Sequence, residues 1–254
     1  MAITISVALQ KGGVGKSTTA QALASVLGSR HKKVLLIDMD SQHNVTYASG
    51  IDEPERSVTD VLGEDCKAEE ALIPCKYYDL LASDGFLSNV EMADVGPTLL
   101  KNAIMPLQGK YDFIIIDTPP ALGNLSYNSL VASDYVIIPS EPSVYALQGL
   151  SALNETIRNV QEKQNRRLQV AGILLIKYNN RTVLNRDIKA MIEDYARQMG
   201  TSVFSTAIRE GIVVREAQTV REPLIDYAKN SNPASDYIIF TNELLRRIGE
   251  EKRK

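Results

Sequence analysis

The stretch Gln10-Lys11-Gly12-Gly13-Val14-Gly15-Lys16-Ser17-Thr18 falls between an apolar run, residues 3–8, and a segment of helical periodicity, residues 17–27. Strand, glycine-rich loop and helix in that order make a phosphate-binding loop. Glycines let backbone N–H groups turn inward towards a polyphosphate, and the helix N-terminus adds partial positive charge. Lys16 is placed to reach β- and γ-phosphates, and the Ser17 hydroxyl to ligate Mg²⁺. The cofactor-binding candidates are therefore Lys11, Gly12, Gly13, Val14, Gly15, Lys16, Ser17 and Thr18. The strict pattern, with a glycine five residues before the Gly-Lys pair, is not met. That position is Gln10, and a second lysine, Lys11, precedes Gly12-Gly13.

A phosphate loop of this kind needs a parallel sheet around it, and the rest of the chain supplies one. Buried strands are expected at residues 33–38, 113–117, 135–139 and 170–176, with a weak one at 77–81 and a late one at 202–206. Gly28 reads as the stop of the first helix. A helix with Leu184, Ile188, Met191, Ile192 and Tyr195 in register follows the 170–176 strand. A last helix turns Tyr237, Phe240, Leu244 and Ile248 inward. Residues 43–110 are irregular and suggest several short helices. The expected fold is a single α/β domain over residues 1–254, a mostly parallel central sheet with helices on both faces.

Composition limits the chemistry. The 254 residues include two cysteines, Cys66 and Cys75, and two histidines, His31 and His43, none in a metal-like spacing. Neither a disulfide framework nor a His-based metal site is expected on that basis. No apolar run reaches the roughly 20 residues of a membrane span. Residues 1–150 carry 10 Lys/Arg against 18 Asp/Glu, and residues 151–254 carry 18 against 13. The acidic front and basic back leave room for a polyanion-binding face, although a solvated surface explains the same asymmetry.

Carboxylates mark two strand ends. The second strand closes in Asp38-Met39-Asp40-Ser41-Gln42. Acids at the C-terminal edge of a parallel sheet point into the ligand crevice. Phe113-Ile114-Ile115-Ile116-Asp117-Thr118-Pro119-Pro120 is a hydrophobic strand ending in an acid, the Walker B arrangement, in which Asp117 holds Mg²⁺.

Taken together, KGGVGKST, the Asp38-x-Asp40 pair and Asp117-Thr118-Pro119-Pro120 resemble the ParA/MinD branch of P-loop ATPases. The resemblance spans nearly the whole chain. It implies ATP and Mg²⁺ as cofactors, Lys11, Lys16, Asp40 and Asp117 as catalytic residues, and Ser17, Asp40 and Asp117 around the metal. By the same match Lys11 contacts the nucleotide of a partner subunit, Asp40 orients the attacking water, and Asp38 is structural. Thr118-Pro119-Pro120 forms a loop sensitive to the γ-phosphate. Ser41 replaces a proline of the family motif. Residues 208–211, Ile-Arg-Glu-Gly, replace the family's Ile-Pro-Arg-Asn beside adenine, so the adenine preference follows from the resemblance alone.

The chain begins at the phosphate-loop strand, with no helix-turn-helix extension before it, and so resembles the short Soj-like members. That implies an ATP-bound homodimer in the cytoplasm of a bacterium or archaeon. The dimer associates with the nucleoid by binding DNA without sequence preference, and a ParB-type partner stimulates it. The DNA-contacting candidates are Arg181, Arg197, Arg209, Arg215, Arg221 and Lys229. A MinD-like membrane-associated ATPase, or a scaffold ATPase positioning another cargo, is the alternative. The charged tail at residues 244–254 argues against stable membrane association. No C-x-x-C is present for an iron–sulfur relative.

Overall fold

Five of the strands are runs in which every residue, or all but one, is buried, and this is what allows them to form the middle of a sheet covered on both sides. The computed structural model describes residues 1–93, 95–143, 145–179 and 183–249. Within it β1 (Ile3–Val7), β2 (Val34–Asp38), β3 (Leu72–Pro74), β4 (Asp79–Leu81), β5 (Phe113–Asp117), β6 (Tyr135–Ser140) and β7 (Gln169–Leu175) form one sheet in the order β3-β4-β2-β5-β1-β6-β7. All neighbours are parallel except β3, which runs antiparallel to β4 at the edge.

Alternation along the central strands feeds two cores. Val34 and Leu36 of β2, with Phe113 and Ile115 of β5, belong to one cluster. Leu35 and Ile37, with Ile114 and Ile116, belong to the other. A period of two places successive side chains on opposite faces, so a strand buried on both faces must be apolar throughout. Each such side chain contributes about 1.5–3 kcal/mol relative to exposure.

Helices cover these faces. They are α1 (Lys16–Ser29), α2 (Asn44–Ala48), α3 (Val58–Leu62), α4 (Leu87–Met92), α5 (Leu99–Ile104), α6 (Asn124–Val131), α7 (Ala146–Lys163), α8 (Val183–Gln198), α9 (Ile212–Val220), α10 (Leu224–Tyr227) and α11 (Asn232–Arg247). The irregular region 43–110 resolves into α2 to α5 and the short strands β3 and β4. β3 has no signal in the sequence because three residues are too few for a pattern.

Three expectations need correction. Residues 202–206 do not form a strand. Val203 and Ile208 each make a single parallel bridge, to Ile173 and Ile176. Leu184 and Met191 of α8 are exposed, and the buried stripe is Ile188, Ile192 and Ala196. Gly28 does not stop α1, which continues to Ser29. Gly28 is there for contact: a Cβ on it would lie 1.8 Å from the carbonyl oxygen of Tyr77. Gly→Ala inside a helix ordinarily stabilises by about 1 kcal/mol. Here Gly28→Ala is expected to destabilise by about 3 kcal/mol, because backbone must move. Urea unfolding would read this, and a stabilised variant would contradict the contact.

Candidate active site

The phosphate loop gets its shape from two left-handed glycines. Gly13 has φ 72° and Gly15 has φ 70°, a region that other residues enter only at a cost. Gly15 precedes α1, and no side chain caps that helix, so its first N–H groups stay available to an anion. Lys16 is 6 % exposed, and its ammonium donates to the carbonyl of Lys11 at 3.0 Å. Lys11 itself reaches Ser143 Oγ of its own chain at 3.1 Å. The side chain of Gln218 on α9 donates to the Thr18 hydroxyl at 3.0 Å, a contact that no local motif announces.

The carboxylates sit where β2 and β5 end side by side, with Asp38 opposite Asp117 in the strand register. Asp38 is fully buried and well satisfied. Its Oδ1 accepts from Asp40 N at 3.1 Å, and its Oδ2 from Thr46 N at 2.9 Å and Thr46 Oγ1 at 2.8 Å. These bonds fasten the start of α2 to the strand end. Burial still dominates and pushes the Asp38 carboxyl up to about 6. Asp40 is 6 % exposed, and its Oδ1 accepts from Gln42 N at 3.1 Å.

Asp117 differs from both. It is completely buried, and neither carboxylate oxygen has a hydrogen-bond partner. The Ser17 hydroxyl is near enough to favour the charged form without completing a hydrogen bond. Burial first, and the neighbouring Asp38 second, push the Asp117 carboxyl well above the usual carboxylate range; Ser17 and Lys16 oppose them. Burial likewise lowers the Lys16 ammonium, against the pull of Asp117 and Asp40. An orphaned buried carboxylate beside a serine hydroxyl fits a hard divalent cation. Among the described residues there is no cluster of three or more His, Cys, Asp and Glu for a metal. Such an ion would rest on Ser17, Asp117 and ligand oxygens instead.

A family model described as AAA domain matches residues 2–170. An uncharacterized protein of Pseudomonas putida is 38% identical over 97% of this chain and 96% of its own. The sporulation initiation inhibitor protein Soj of Bacillus subtilis is 35% identical over 94% of this chain and 97% of its own. The chromosome-partitioning ATPase Soj of Thermus thermophilus is 35% identical over 97% and 96%. The chain belongs to the ParA/Soj family of P-loop ATPases. Solved ParA-like folds agree. A Mycobacterium smegmatis structure described as cobyrinic acid a,c-diamide synthase, with bound ADP and magnesium, superposes with a TM-score of 0.84 at 31% identity, covering 99% of this chain and 97% of that one. The septum site-determining protein MinD of Pyrococcus horikoshii, complexed with Mg-ADP, gives 0.81 at 25% identity, covering all of both chains.

Beside the loop lies a cavity of about 650 Å³, with Gly15, Thr18, Lys177, Arg209, Glu210 and Tyr237 in its wall. Arg209 stands in place of the family's proline, and the structure gives it a fixed position. Its backbone N and Nε donate to Asp236 Oδ2, each at 2.9 Å, and Nη2 to Oδ1 at 2.6 Å. Asp236 is 5 % exposed. Tyr237 follows it and shares a 3.1 Å hydrogen bond with Thr19 of α1. These contacts join residues 27 and 218 apart in sequence, and no local pattern reveals them.

The basic candidates do not form one free set. Arg181 lies outside the described residues. The guanidinium groups of three others are engaged within the chain. Arg197 pairs with Asp194 and Arg209 with Asp236. Arg221 pairs with Asp52 at 2.7 Å and stacks over the Tyr47 ring at 4.0 Å. Arg215 and Lys229 are exposed, with no ion-pair partner among the described residues.

Proposed function

We propose that this chain is an Mg²⁺-dependent, slow ATPase that dimerises on ATP, binds DNA without sequence preference, and partitions a chromosome or plasmid with a ParB-type partner. The observation that carries the reading is Asp117: a buried, unpartnered carboxylate held against the phosphate loop, with Lys16 close enough to interact with it. Leaving such a group unpaired costs free energy in the empty protein. A metal–nucleotide complex removes that cost on binding.

In this reading the loop amides and Lys16 cradle the β- and γ-phosphates. Ser17 and Asp117 hold Mg²⁺, which when bound neutralises charge developing on the phosphate oxygens. Asp40, anchored through Gln42 N, orients the attacking water. Asp38 holds the Asp40 turn and α2 in place. Lys11 exchanges Ser143 for the partner subunit's nucleotide when two ATP-loaded chains meet. Relatives named for chromosome partitioning, and the basic balance of residues 151–254, support the DNA step.

Asp40→Ala is expected to bind ATP, dimerise and hydrolyse poorly. Its binding to a random-sequence duplex, with ATP–Mg²⁺ against ADP–Mg²⁺ across a salt series, tests the function. The expectation is ATP-dependent binding that weakens with log salt by a slope of about −0.9 per phosphate contacted. Lys11→Ala should keep nucleotide but fail to form the ATP dimer, and so lose the duplex. ATP dimers of Asp40→Ala that ignore DNA would turn the reading towards a membrane or protein-scaffold cargo.

A further inference from the structure

One backbone position beside the phosphate loop is strained and explained by nothing above. Lys177 has φ 50°, a left-handed conformation that a lysine adopts only when its surroundings force it. Both neighbours supply the force. Ile176 N donates to Ser140 O of β6 at 3.0 Å, and Tyr178 N donates to Ile208 O at 3.0 Å. Past the end of β7 the chain turns from its β6 neighbour to the 208 segment between these two bonds, and residue 177 takes up the turn. Ile176 is also pressed onto the loop: a Cβ on Gly15 would lie 3.0 Å from its Cδ1.

The strained residue sends its side chain to the loop. Lys177 Nζ donates to Gly13 O at 3.2 Å and lies 3.8 Å from Glu141 Oε2. In a planar trans peptide the carbonyl and the following N–H point in opposite directions. Drawing the Gly13 carbonyl towards Lys177 therefore turns the Val14 N–H away from it. That N–H has no acceptor among the described residues, as a donor kept for a ligand should have none. Lys177 also stands in the wall of the 650 Å³ cavity beside Gly15 and Thr18.

We propose that Lys177 is a positioning residue of the nucleotide site: it fixes the Gly13–Val14 peptide so that the Val14 N–H faces the phosphates. Glu141 keeps its ammonium on station. The inference rests on the nucleotide reading above and adds a third lysine to the two that the loop itself carries. The strain at residue 177 is retained for ligand binding rather than for stability.

The test sets binding against stability. Binding of a fluorescent ADP analogue with Mg²⁺ and thermal unfolding of the nucleotide-free protein are measured for the full chain and for Lys177→Met, Lys177→Gly and Lys177→Arg. Met keeps the strain and loses the donor, and its Kd is expected to rise about tenfold. Gly loses both, so its Kd rises similarly while its Tm goes up, since glycine tolerates φ 50°. Arg keeps a charged donor and stays within about threefold of the unmodified chain. Met and Gly variants that bind as tightly as the unmodified chain would overturn the proposal. So would a Gly variant whose affinity and Tm fall together, the sign of a purely structural lysine. If the unmodified chain does not bind the analogue, the nucleotide reading itself is rejected. If it binds and the variants bind equally, only the role of Lys177 is lost.

Discussion

Replacing Lys16 by alanine is expected to abolish nucleotide binding at micromolar concentrations, with Kd raised at least a hundredfold. A charge-assisted hydrogen bond is worth about 1.5–3 kcal/mol, and Lys16 is a buried cation that interacts with both Asp117 and Asp40. Its removal does two things at once. The phosphates lose their main counter-charge, and the acids at the strand ends lose theirs, so Asp117 holds its proton to still higher pH. An acid that keeps its proton is a poor metal ligand, so the defect extends to Mg²⁺. Calorimetric titration of ADP–Mg²⁺ into the purified variant is the measurement. Affinity within threefold of the parent would refute the assignment of residues 10–18 as a phosphate loop.

The second large effect is expected at Asp117, with opposite signs for stability and for activity. Asp117→Asn removes a carboxylate that is buried without a hydrogen-bond partner. The nucleotide-free protein should gain about 2 kcal/mol at pH 8, which for a chain of this size is roughly 5 °C in Tm. Mg²⁺-dependent hydrolysis should be lost. The direction with pH follows from the raised values. An acid whose folded-state pKa is raised contributes stability that is fully present below its unfolded value, near 4, and lost as pH rises through the folded value. For Asp38 that window ends at about 6; for Asp117 it extends further. The metal-free protein should therefore unfold at lower temperature at pH 8 than at pH 5. Asp117→Asn should flatten that slope and match the parent near pH 4.5. Equal slopes in the two proteins would mean that the Asp117 carboxylate is stabilised by a partner after all.

The sequence revealed those parts of the molecule whose cause is local. Val34 to Ile37 and Phe113 to Ile116 are apolar at every position, and only a strand buried on both faces calls for that. Gly13 and Gly15 announced a loop because only glycine enters its geometry freely. The acids were visible because an Asp closing an apolar strand is anomalous unless it does something. What was hidden depends on distant partners. Gly28 looked like a helix stop, yet it is small to admit the Tyr77 carbonyl, and nothing near it in sequence says so. Leu184 and Met191 have the spacing of a buried stripe, but α8 turns Ile188, Ile192 and Ala196 inward instead. Arg209 reads in the sequence as a surface cation, yet Asp236 is folded beneath it. At residues 202–206 apolar residues suggested a strand, where the chain makes only isolated bridges.

The two borders of the sheet carry a last consequence. On one side β3 is three residues long, antiparallel, and ends in Pro74, which offers no N–H to a newcomer. On the other side the β7 border is bridged at Val203 and Ile208. There Arg247 donates to the carbonyls of Ala171 and Val203 at 3.2 and 2.9 Å and stacks over the Phe204 ring at 4.0 Å. Neither border is an open row of backbone groups of the kind that templates fibrils. A second copy of this chain would find no free strand at either border to extend, so the sheet is guarded against growth by strand addition.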